Sequence, residues 1–330
     1  MVKLGCAISN VIIDEFGPDE LLKRLCDRDW FQALACAIGY DWHSSGTTTV
    51  TLGALKEGLR GSSEIFIAGG KGRAGLKTPD DIVAGCDTLS MTNQIGDFIT
   101  KSKLAARVDS NLVYDEAGIY HHNFIFTKGR KWGVVQQAMH EPSHNAIRYQ
   151  WHCDLVNEDD LTTEPHAAVV SPYKHSTLDL TNTANAWAKR SSVELVSDAD
   201  FLEGAMQPGG YPQRHQIKRE DISERGWEAI RRAGELEVKD YQQLMLVKGM
   251  GRATLRSLAF VSSLIYGKEL AYRDPVAYAY NLGGKDGIPF PVPRQTYDQV
   301  IEEMQEIVES ANLERQDKFR ALRSLASKLG

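Results

Sequence analysis

The sequence predicts an α+β fold, in which a mixed α/β N-terminal domain with a small, largely antiparallel sheet precedes an all-helical domain. Strand-like segments, rich in β-branched and aromatic residues, lie within the first 170 residues. Two of them, 120–127 and 132–137, flank Lys128-Gly-Arg-Lys131, which is typical of an antiparallel hairpin. Beyond residue 206 the pattern is helical, apart from a Pro- and Gly-rich stretch at 281–293.

Each element follows from local sequence. The caps and the apolar spacing predict helices at 29–39, with Asp29 as the N-cap, at 50–59, from Thr78 towards Val108, at 183–196 and from about 295. Strands are expected at 64–68, 120–127, 132–137, 148–151 and 166–170. Alternation predicts one face with His122, Phe124 and Phe126, and an opposite face with His121, Asn123 and Ile125.

Length and composition narrow the class of protein. A chain of 330 residues allows two domains, and the Pro- and Gly-rich segment 206–213 suggests domains at 1–205 and 206–330. No apolar run reaches the length of a membrane span, and the opening residues lack the pattern of a signal peptide. Five scattered cysteines without a Cys-x-x-Cys pair indicate reduced thiols. We therefore expect a cytoplasmic protein without a membrane partner.

The C-terminal domain contains the pattern of a helix-hairpin-helix at about 240–265. Two apolar helical runs flank Val247-Lys-Gly-Met-Gly251, where the glycines are expected to allow positive φ. The unpaired amides that open the second helix favour an anion such as a DNA phosphate. A plain helical connector is the alternative. The residues expected to bind DNA, without reading its sequence, are Lys248, Gly249, Gly251, Arg252, Thr254 and Arg256.

Charge supports a local rather than a general affinity for nucleic acid. Residues 214–274 contain 12 Lys and Arg against 9 Asp and Glu, whereas the whole chain has a net charge of −6. We therefore expect any binding of DNA to depend on the local geometry of this region and to weaken as the salt concentration rises.

Three polar clusters are candidates for chemistry. They are Asp41-Trp-His43-Ser-Ser45, the run Gly69-Gly-Lys71-Gly72, and a group around the hairpin with Arg107, Asp109, His121, His122, Gln136 and Gln137. Lys71, if desolvated, is a candidate to attack an aldehydic carbon and form a Schiff base. A lysine that only contacts a phosphate is the alternative. Gln136 and Gln137 are expected to point to opposite faces of their strand, and of the two Gln137 is assigned to the site of Lys71.

A metal site is a second possibility for the same clusters. Asp41, His43 and Asp109 offer ligands that suit Mg²⁺ or Mn²⁺, with Arg107 or Lys71 as a cation for the transition state. Structural roles as helix caps are the alternative for the Asp and His residues. Asp274 follows the C-terminal turn at the distance expected of a glycosylase aspartate, although Asp274-Pro275 equally marks a helix start.

Together these blocks resemble an archaeal and bacterial family catalogued as domain of unknown function 763. The resemblance covers nearly the whole chain and rests on blocks such as Gly39-Tyr-Asp-Trp-His-Ser-Ser-Gly46, Gly69-Gly-Lys-Gly72, Tyr120-His-His122, Val134-Val-Gln-Gln137 and Gly283-Gly-Lys-Asp-Gly287. Arg107 stands where the family has a lysine, and Ala138 where it has a glycine. The resemblance implies no particular reaction.

The sequence therefore leads to three hypotheses. The first is a DNA repair enzyme that incises damaged or irregular DNA as a glycosylase or AP lyase, with Lys71 as nucleophile and Asp41 or Asp109 moving the proton. The second is a metal-dependent nuclease that uses Asp41, His43 and Asp109. The third is a DNA-binding protein without catalytic activity.

Overall fold

The computed structural model describes residues 1–40, 46–113, 117–140, 145–171, 177–206, 218–273, 275 and 294–329. The helices in these ranges are α1 (Val2–Phe16), α2 (Pro18–Cys26), α3 (Arg28–Ala37), α4 (Thr47–Gly58), α5 (Arg73–Leu76), α6 (Thr78–Thr88), α7 (Ile95–Asn111), α8 (Ala186–Val196), α9 (Ala199–Ala205), α10 (Glu224–Glu235), α11 (Tyr241–Leu246), α12 (Arg252–Tyr266), α13 (Arg294–Ser310) and α14 (Arg315–Leu329). The strands are β1 (Ile65–Lys71), β2 (Ala117–Thr127), β3 (Trp132–His140), β4 (Asn145–His152) and β5 (Ala168–Val170).

The strands form one small antiparallel sheet in the order β1-β2-β3-β4-β5. The predicted hairpin is therefore confirmed as β2 and β3, and the mixed α+β class holds. Along the part of the chain that is described, no helix has both the length and the apolar character that crossing a bilayer requires.

Helices cover both faces of the sheet. Phe124 and Phe126 lie in a core with α6, α7, α8 and the helices α10–α12, on the first face. Ile125 and Val135 lie in a separate core with α1–α4, α13 and α14, on the second face. This division confirms the alternation predicted for residues 122–126, because neighbouring side chains on a strand point to opposite faces.

A β-bulge interrupts the pairing of β2 and β3. Ile119 pairs with Ala138 and His121 pairs with Gln137, so Tyr120 has no residue opposite it. Such a bulge re-aims a side chain. Here it brings the Tyr120 hydroxyl to the second face, where Gln137 Nε2 donates a hydrogen bond to it.

A side-chain cap explains the start of α3, and a proline in the first turn explains that of α6. Asp27, rather than the expected Asp29, caps α3, since its carboxylate accepts from the amides of Asp29 and Trp30 at 2.9 and 2.8 Å. Helix α6 begins at Thr78 with Pro79 in its first turn, as predicted, because proline has no amide hydrogen to leave unpaired there.

The predicted division into 1–205 and 206–330 stays a prediction, and the packing adds a detail to it. Helices α10–α12 share the first-face core with the sheet, so apolar contacts continue across residue 206. Helices α13 and α14 pack against α1 and α3 on the second face. The C-terminal helices therefore pack against the helices that cover both faces of the N-terminal sheet.

Candidate functional sites at one end of the sheet

The predicted pair of helices around residue 249 is present as α11 and α12. The turn between them has Gly249 at φ +94°, a conformation that L-residues rarely adopt. Gly251 differs from the expectation, because its φ of −120° and ψ of 176° are extended backbone that any residue adopts. Only one of the two glycines is thus required by backbone geometry. Lys248 is exposed, and Gly249 and Gly251 are half-buried, so the turn lies at the surface.

The turn has amides available to a ligand. In the described ranges, no protein acceptor takes the N–H groups of Gly249, Gly251 or Ala253. Ala253 is exposed in the first turn of α12, where the helix dipole favours an anion. Met250 and Val247 instead bury their side chains in the first-face core and hold the turn in place.

Four cations surround this turn. Exposed Lys248 lies on it, and the backbone of exposed Arg225 passes beneath Gly249, 3.5 Å from the position of a Cβ there. Arg232 donates to the Lys248 carbonyl oxygen over 2.5 Å, and Arg107 of α7 donates to the carbonyl oxygens of Met245 and Val247. Within the described residues, none of Arg107, Arg225, Arg232 and Lys248 is paired with a carboxylate.

Three of the expected DNA-binding residues have structural contacts. Arg252 donates from Nε to the Ser110 carbonyl oxygen over 2.6 Å and from Nη2 to that of Ala117 over 2.7 Å. Thr254 is buried, with its hydroxyl against Gly226 of α10. The exposed Arg256 lies over the Phe260 ring, with its Cζ 5.4 Å from the ring centroid. Arg252 and Thr254 therefore hold the turn and its helix against the rest of the protein, whereas Arg256 and Lys248 are exposed.

The Arg252 contacts anchor the turn to one end of the sheet. Ser110 lies in the last turn of α7 and Ala117 begins β2, so Arg252 ties α12 to that end of the sheet. Tyr120 lies three residues further along β2, a distance of about 10 Å in a strand. β1 ends at Lys71 beside it. The turn and the Gly-Lys-Gly run therefore lie at the same end of the molecule.

Lys71 lies exposed at the end of β1, on the second face. Its Nζ is 5.8 Å from the centroid of the Tyr120 ring, within reach of a cation–π contact. The run before it requires glycine, since a Cβ on Gly69 would lie 2.2 Å from the His122 carbonyl oxygen. The exposure of Lys71 departs from the desolvated environment expected for a Schiff-base lysine.

His121 is the cross-strand partner of Lys71 and Gln137 on this face. It is only 2% exposed, and neither ring nitrogen has a partner of hydrogen-bond geometry in the described residues, although the Asn123 side chain lies close enough to raise the pKa of the ring. Burial lowers the pKa of His121 to about 4, with the charge of Lys71 acting in the same direction. The ring is therefore neutral near pH 7 and holds one donor and one acceptor without partners.

Tyr120 and Gln137 complete this group, which we call the edge cluster (Lys71, Tyr120, His121 and Gln137). Burial raises the pKa of Tyr120, although the hydrogen bond from Gln137 opposes it and the nearby Tyr40 adds to it. Tyr40 is the last described residue before Asp41. Asp41 and His43 lie outside the described residues, and so does Asp274.

Asp109 lies on the opposite face, in the interior. It is 1% exposed, and its carboxylate accepts from Gln136 Nε2, from Trp151 Nε1 over 3.0 Å and from His166 Nε2 over 2.6 Å. Burial disfavours a charged imidazole at His166, but the charge and hydrogen bond of Asp109 outweigh it and raise the pKa of His166. Asp109 is a buried anion that three donors satisfy, so its oxygens are engaged within the protein.

A hydrogen-bond chain continues from Asp109 to His122. Gln136 Nε2 also donates to the Ala105 carbonyl oxygen over 3.0 Å, which fixes its amide orientation because a carbonyl only accepts. Gln136 Oε1 therefore accepts from His122 Nδ1 at 2.7 Å. His122 Nε2 then accepts from the Ser102 hydroxyl at 2.9 Å, and burial lowers the pKa of His122, consistent with a neutral ring.

These positions correct the combined site predicted from the sequence. The sheet separates Asp109 from Lys71, because Asp109 bonds Gln136 on the first face and Lys71 pairs with His121 on the second. Asp109 therefore does not meet Lys71 as a proton shuttle, and its role as an Mg²⁺ or Mn²⁺ ligand conflicts with its three donors. Arg107 donates hydrogen bonds to backbone carbonyl oxygens near the turn between α11 and α12, and it does not share a site with Lys71. Gln137 and Lys71 do share one cluster.

The geometry also offers one other group of potential metal ligands among the described residues. Ligand atoms of His152, Cys153 and Asp154 lie within 4.8 Å of one another. Lys131 Nζ already contacts Asp154 Oδ1 at 2.5 Å, and the Asp154 amide donates to His152 Nδ1 over 3.2 Å. The ligand atoms of this group therefore already have partners within the protein, and these contacts do not favour a metal ion.

Sequence reasoning missed several members of the buried network. Ser102, Trp151 and His166 bind its two ends, and they come from three separated segments. Ser102 lies one helical turn before Ala105 and two turns before Asp109. Their shared face on α7 was therefore the sequence signal that could have placed Ser102 in the network. No periodicity indicates that His166, outside the regular elements, reaches Asp109.

The comparisons with known proteins bear on the family alone. The model of the family described as "Protein of unknown function (DUF763)" matches residues 1–292. No curated protein matches the chain. No solved structure matches it either. Since the family model covers most of the chain, the protein belongs to the DUF763 family.

Proposed function

We propose that this protein binds the phosphate backbone of DNA at the turn between α11 and α12. The observation that carries the proposal is the set of amides at Gly249, Gly251 and Ala253, which have no acceptor in the described residues and lie at the surface. Outward amides at a helix start hold a phosphate oxygen, and the dipole of α12 favours the negative charge. This arrangement of amides at the start of the second helix is the one that we propose for a helix-hairpin-helix bound to a DNA backbone.

Charge around the turn supports the same partner. Lys248 and Arg225 are exposed beside the amides and have no carboxylate partner in the described part of the chain, while the chain as a whole is acidic. The attraction is thus confined to a small area. Such contacts position a DNA strand without reading its sequence, and their strength falls with salt.

Fluorescence anisotropy with a labelled DNA duplex, measured over a series of salt concentrations, tests the proposal. Lys248→Glu is expected to weaken binding at least about tenfold, and Lys248→Ala to reduce the log–log salt slope by about 0.9. Lys128→Glu is the charge-matched control, since Lys128 is exposed at the opposite end of the sheet, in the β2–β3 turn. Equal losses in both glutamate variants would show general charge attraction and sink the proposal.

Gly251→Val separates the amides from the lysine. The backbone of Gly251 is extended, and a Cβ there has no contact closer than 3.9 Å, so the larger side chain fits without strain. It would cover the neighbouring amides, and binding is expected to fall while the protein stays folded, with at most the modest loss of stability expected for valine at an N-cap. Unaltered affinity in a folded Gly251→Val variant would exclude the amides as the phosphate site.

A DNA repair enzyme of the glycosylase or AP-lyase type is the second candidate function. The observation that favours it is the position of Lys71 at the same end of the sheet as the turn that Arg252 anchors. In that chemistry, the neutral Lys71 amine adds to the C1′ aldehyde of an abasic sugar and water leaves to give a Schiff base. Borohydride reduction would trap this linkage on abasic duplex, and the adduct is expected to disappear in Lys71→Ala.

The hypothesis of a metal-dependent nuclease predicts a different result in a gel assay of DNA cleavage. It requires cleavage of undamaged duplex that a chelator abolishes, whereas the lyase acts on abasic duplex with or without chelator. Since Asp109 is enclosed, Asp41→Ala and His43→Ala are the informative variants for this route. Binding without cleavage or adduct on either duplex leaves a DNA-binding protein without catalytic activity.

A further inference from the structure

We propose that Lys71 and His121 of the edge cluster form a second phosphate-binding site, separate from the turn between α11 and α12. The starting observation is the His121 ring, which is buried, has only the Asn123 side chain as a weak polar neighbour, and has no partner of hydrogen-bond geometry at either nitrogen in the described residues. A buried polar group left unpaired is destabilising, so a ligand that pairs with it recovers the lost free energy.

The charge of the cluster selects an anion. Lys71 is exposed over Tyr120, and neither Lys71 nor His121 contacts a carboxylate in the parts of the chain that the structure describes. A metal ion suits the cluster poorly, because Lys71 would repel it and the remaining groups are uncharged ligands. A phosphate oxygen instead accepts from the Lys71 ammonium and from the N–H of His121.

The groups around His121 define how its protonation responds. Those that face it or lie next to it are Lys71 on β1, Tyr120 and His122 on β2, Arg148 on β4 beside Gln137, and Tyr40 after α3. Lys71 and His122 disfavour a charged His121 in the absence of ligand. A bound phosphate reverses this balance, because its negative charge favours the imidazolium. Phosphate binding and proton uptake by His121 are therefore linked, and phosphate binds more tightly as pH falls.

Two sources of phosphate share this chemistry, a DNA strand and a free phosphate compound. The edge cluster and the turn lie at one end of the sheet, which allows one strand to contact both. The site does not depend on the turn, because its contacts come from β1 and β2 alone.

The test follows the histidine ring nitrogens by NMR in the full ¹⁵N-labelled chain, with inorganic phosphate against chloride of equal ionic strength. The signal of His121 is assigned by its loss in His121→Gln. Phosphate is expected to raise the pKa of His121 by at least one pH unit, which corresponds to about tenfold tighter binding to the protonated form. His152 is the matched control, since it is also buried, has its Nε2 unpaired and has a pKa that burial lowers.

The variants separate the outcomes. Lys71→Ala is expected to abolish the phosphate effect on His121, whereas Lys248→Glu leaves it intact, so failure here is distinguishable from failure of the turn. If a single-stranded oligonucleotide gives the same shift in the pKa of His121 at a lower phosphate concentration than inorganic phosphate does, the site is assigned to DNA. If the oligonucleotide is no more effective than inorganic phosphate, the site is assigned to a free phosphate compound. A pKa of His121 that phosphate does not move, or equal movement of His121 and His152, overturns the proposal.

Discussion

Arg252 of α12 donates a hydrogen bond to the carbonyl oxygen of Ala117, the first residue of β2, over 2.7 Å. Its Nε donates to the Ser110 carbonyl oxygen as well. One guanidinium thus joins the last turn of α7, the sheet and the helix that follows the proposed DNA-binding turn. A residue expected from the sequence to contact DNA instead sets where that turn lies.

Arg252→Ala is expected to lower the free energy of unfolding by about 2–4 kcal/mol, because two carbonyl groups lose a charged donor. Arg225→Ala is the matched control, since Arg225 is exposed near the same turn and its loss should change stability by less than about 0.5 kcal/mol. Urea denaturation measures both. If Arg252→Ala weakens DNA binding without any loss of stability, the anchoring role is wrong.

Gly249 and Gly251 are expected to differ in their tolerance of alanine. Gly249→Ala forces an L-residue to φ +94° and should cost about 1–3 kcal/mol. Gly251→Ala occupies extended backbone with space for its Cβ and loses only the preference of an N-cap for glycine over alanine, so it should cost less than about 1 kcal/mol. Thermal unfolding of the pair decides this, and equal destabilisation would contradict the geometry of the turn.

Asp109→Ala is expected to lower the free energy of unfolding by about 3–5 kcal/mol, because it leaves a buried His166 without its anion. Asp109→Asn should cost less, since the amide keeps one acceptor for the Trp151 indole. Asp159→Ala, at an exposed aspartate, is the control. The nuclease hypothesis makes the opposite forecast, in which Asp109→Ala abolishes cleavage and leaves denaturation curves unchanged.

Stability should fall with acidity through His121. Its folded pKa of about 4 lies below the ordinary value of 6.5, so the unfolded chain binds a proton that the folded chain does not. This contribution to stability is complete above pH 6.5 and is lost as pH falls towards 4, by about 3 kcal/mol in all. His121→Gln should remove that part of the slope in urea titrations at several pH values. Parallel slopes for the parent protein and His121→Gln would mean that His121 does not cause this pH dependence.

Sequence patterns were enough for the strands, for several of the helices and for part of the edge cluster. Strict alternation along β2 placed His121 and Phe124 on opposite faces, because a strand leaves a side chain no other choice. The strand–glycine pattern brought Lys71 to a strand end, and the apolar spacing around residue 249 predicted the two helices that the structure has. These features depend on local geometry, which a few neighbouring residues determine.

Which polar residues meet was decided by the tertiary structure. Asp109 and Lys71 looked like partners in one site, but the sheet lies between them, and the three donors to Asp109 come from distant segments. Arg252 and Arg107 looked like ligands of DNA or of a transition state, yet their contacts are backbone carbonyls across the core. The sequence by itself determined the faces and the turns, because backbone periodicity is local. Only long-range packing decided which charges are buried and which, like Lys71 and Lys248, stay at the surface.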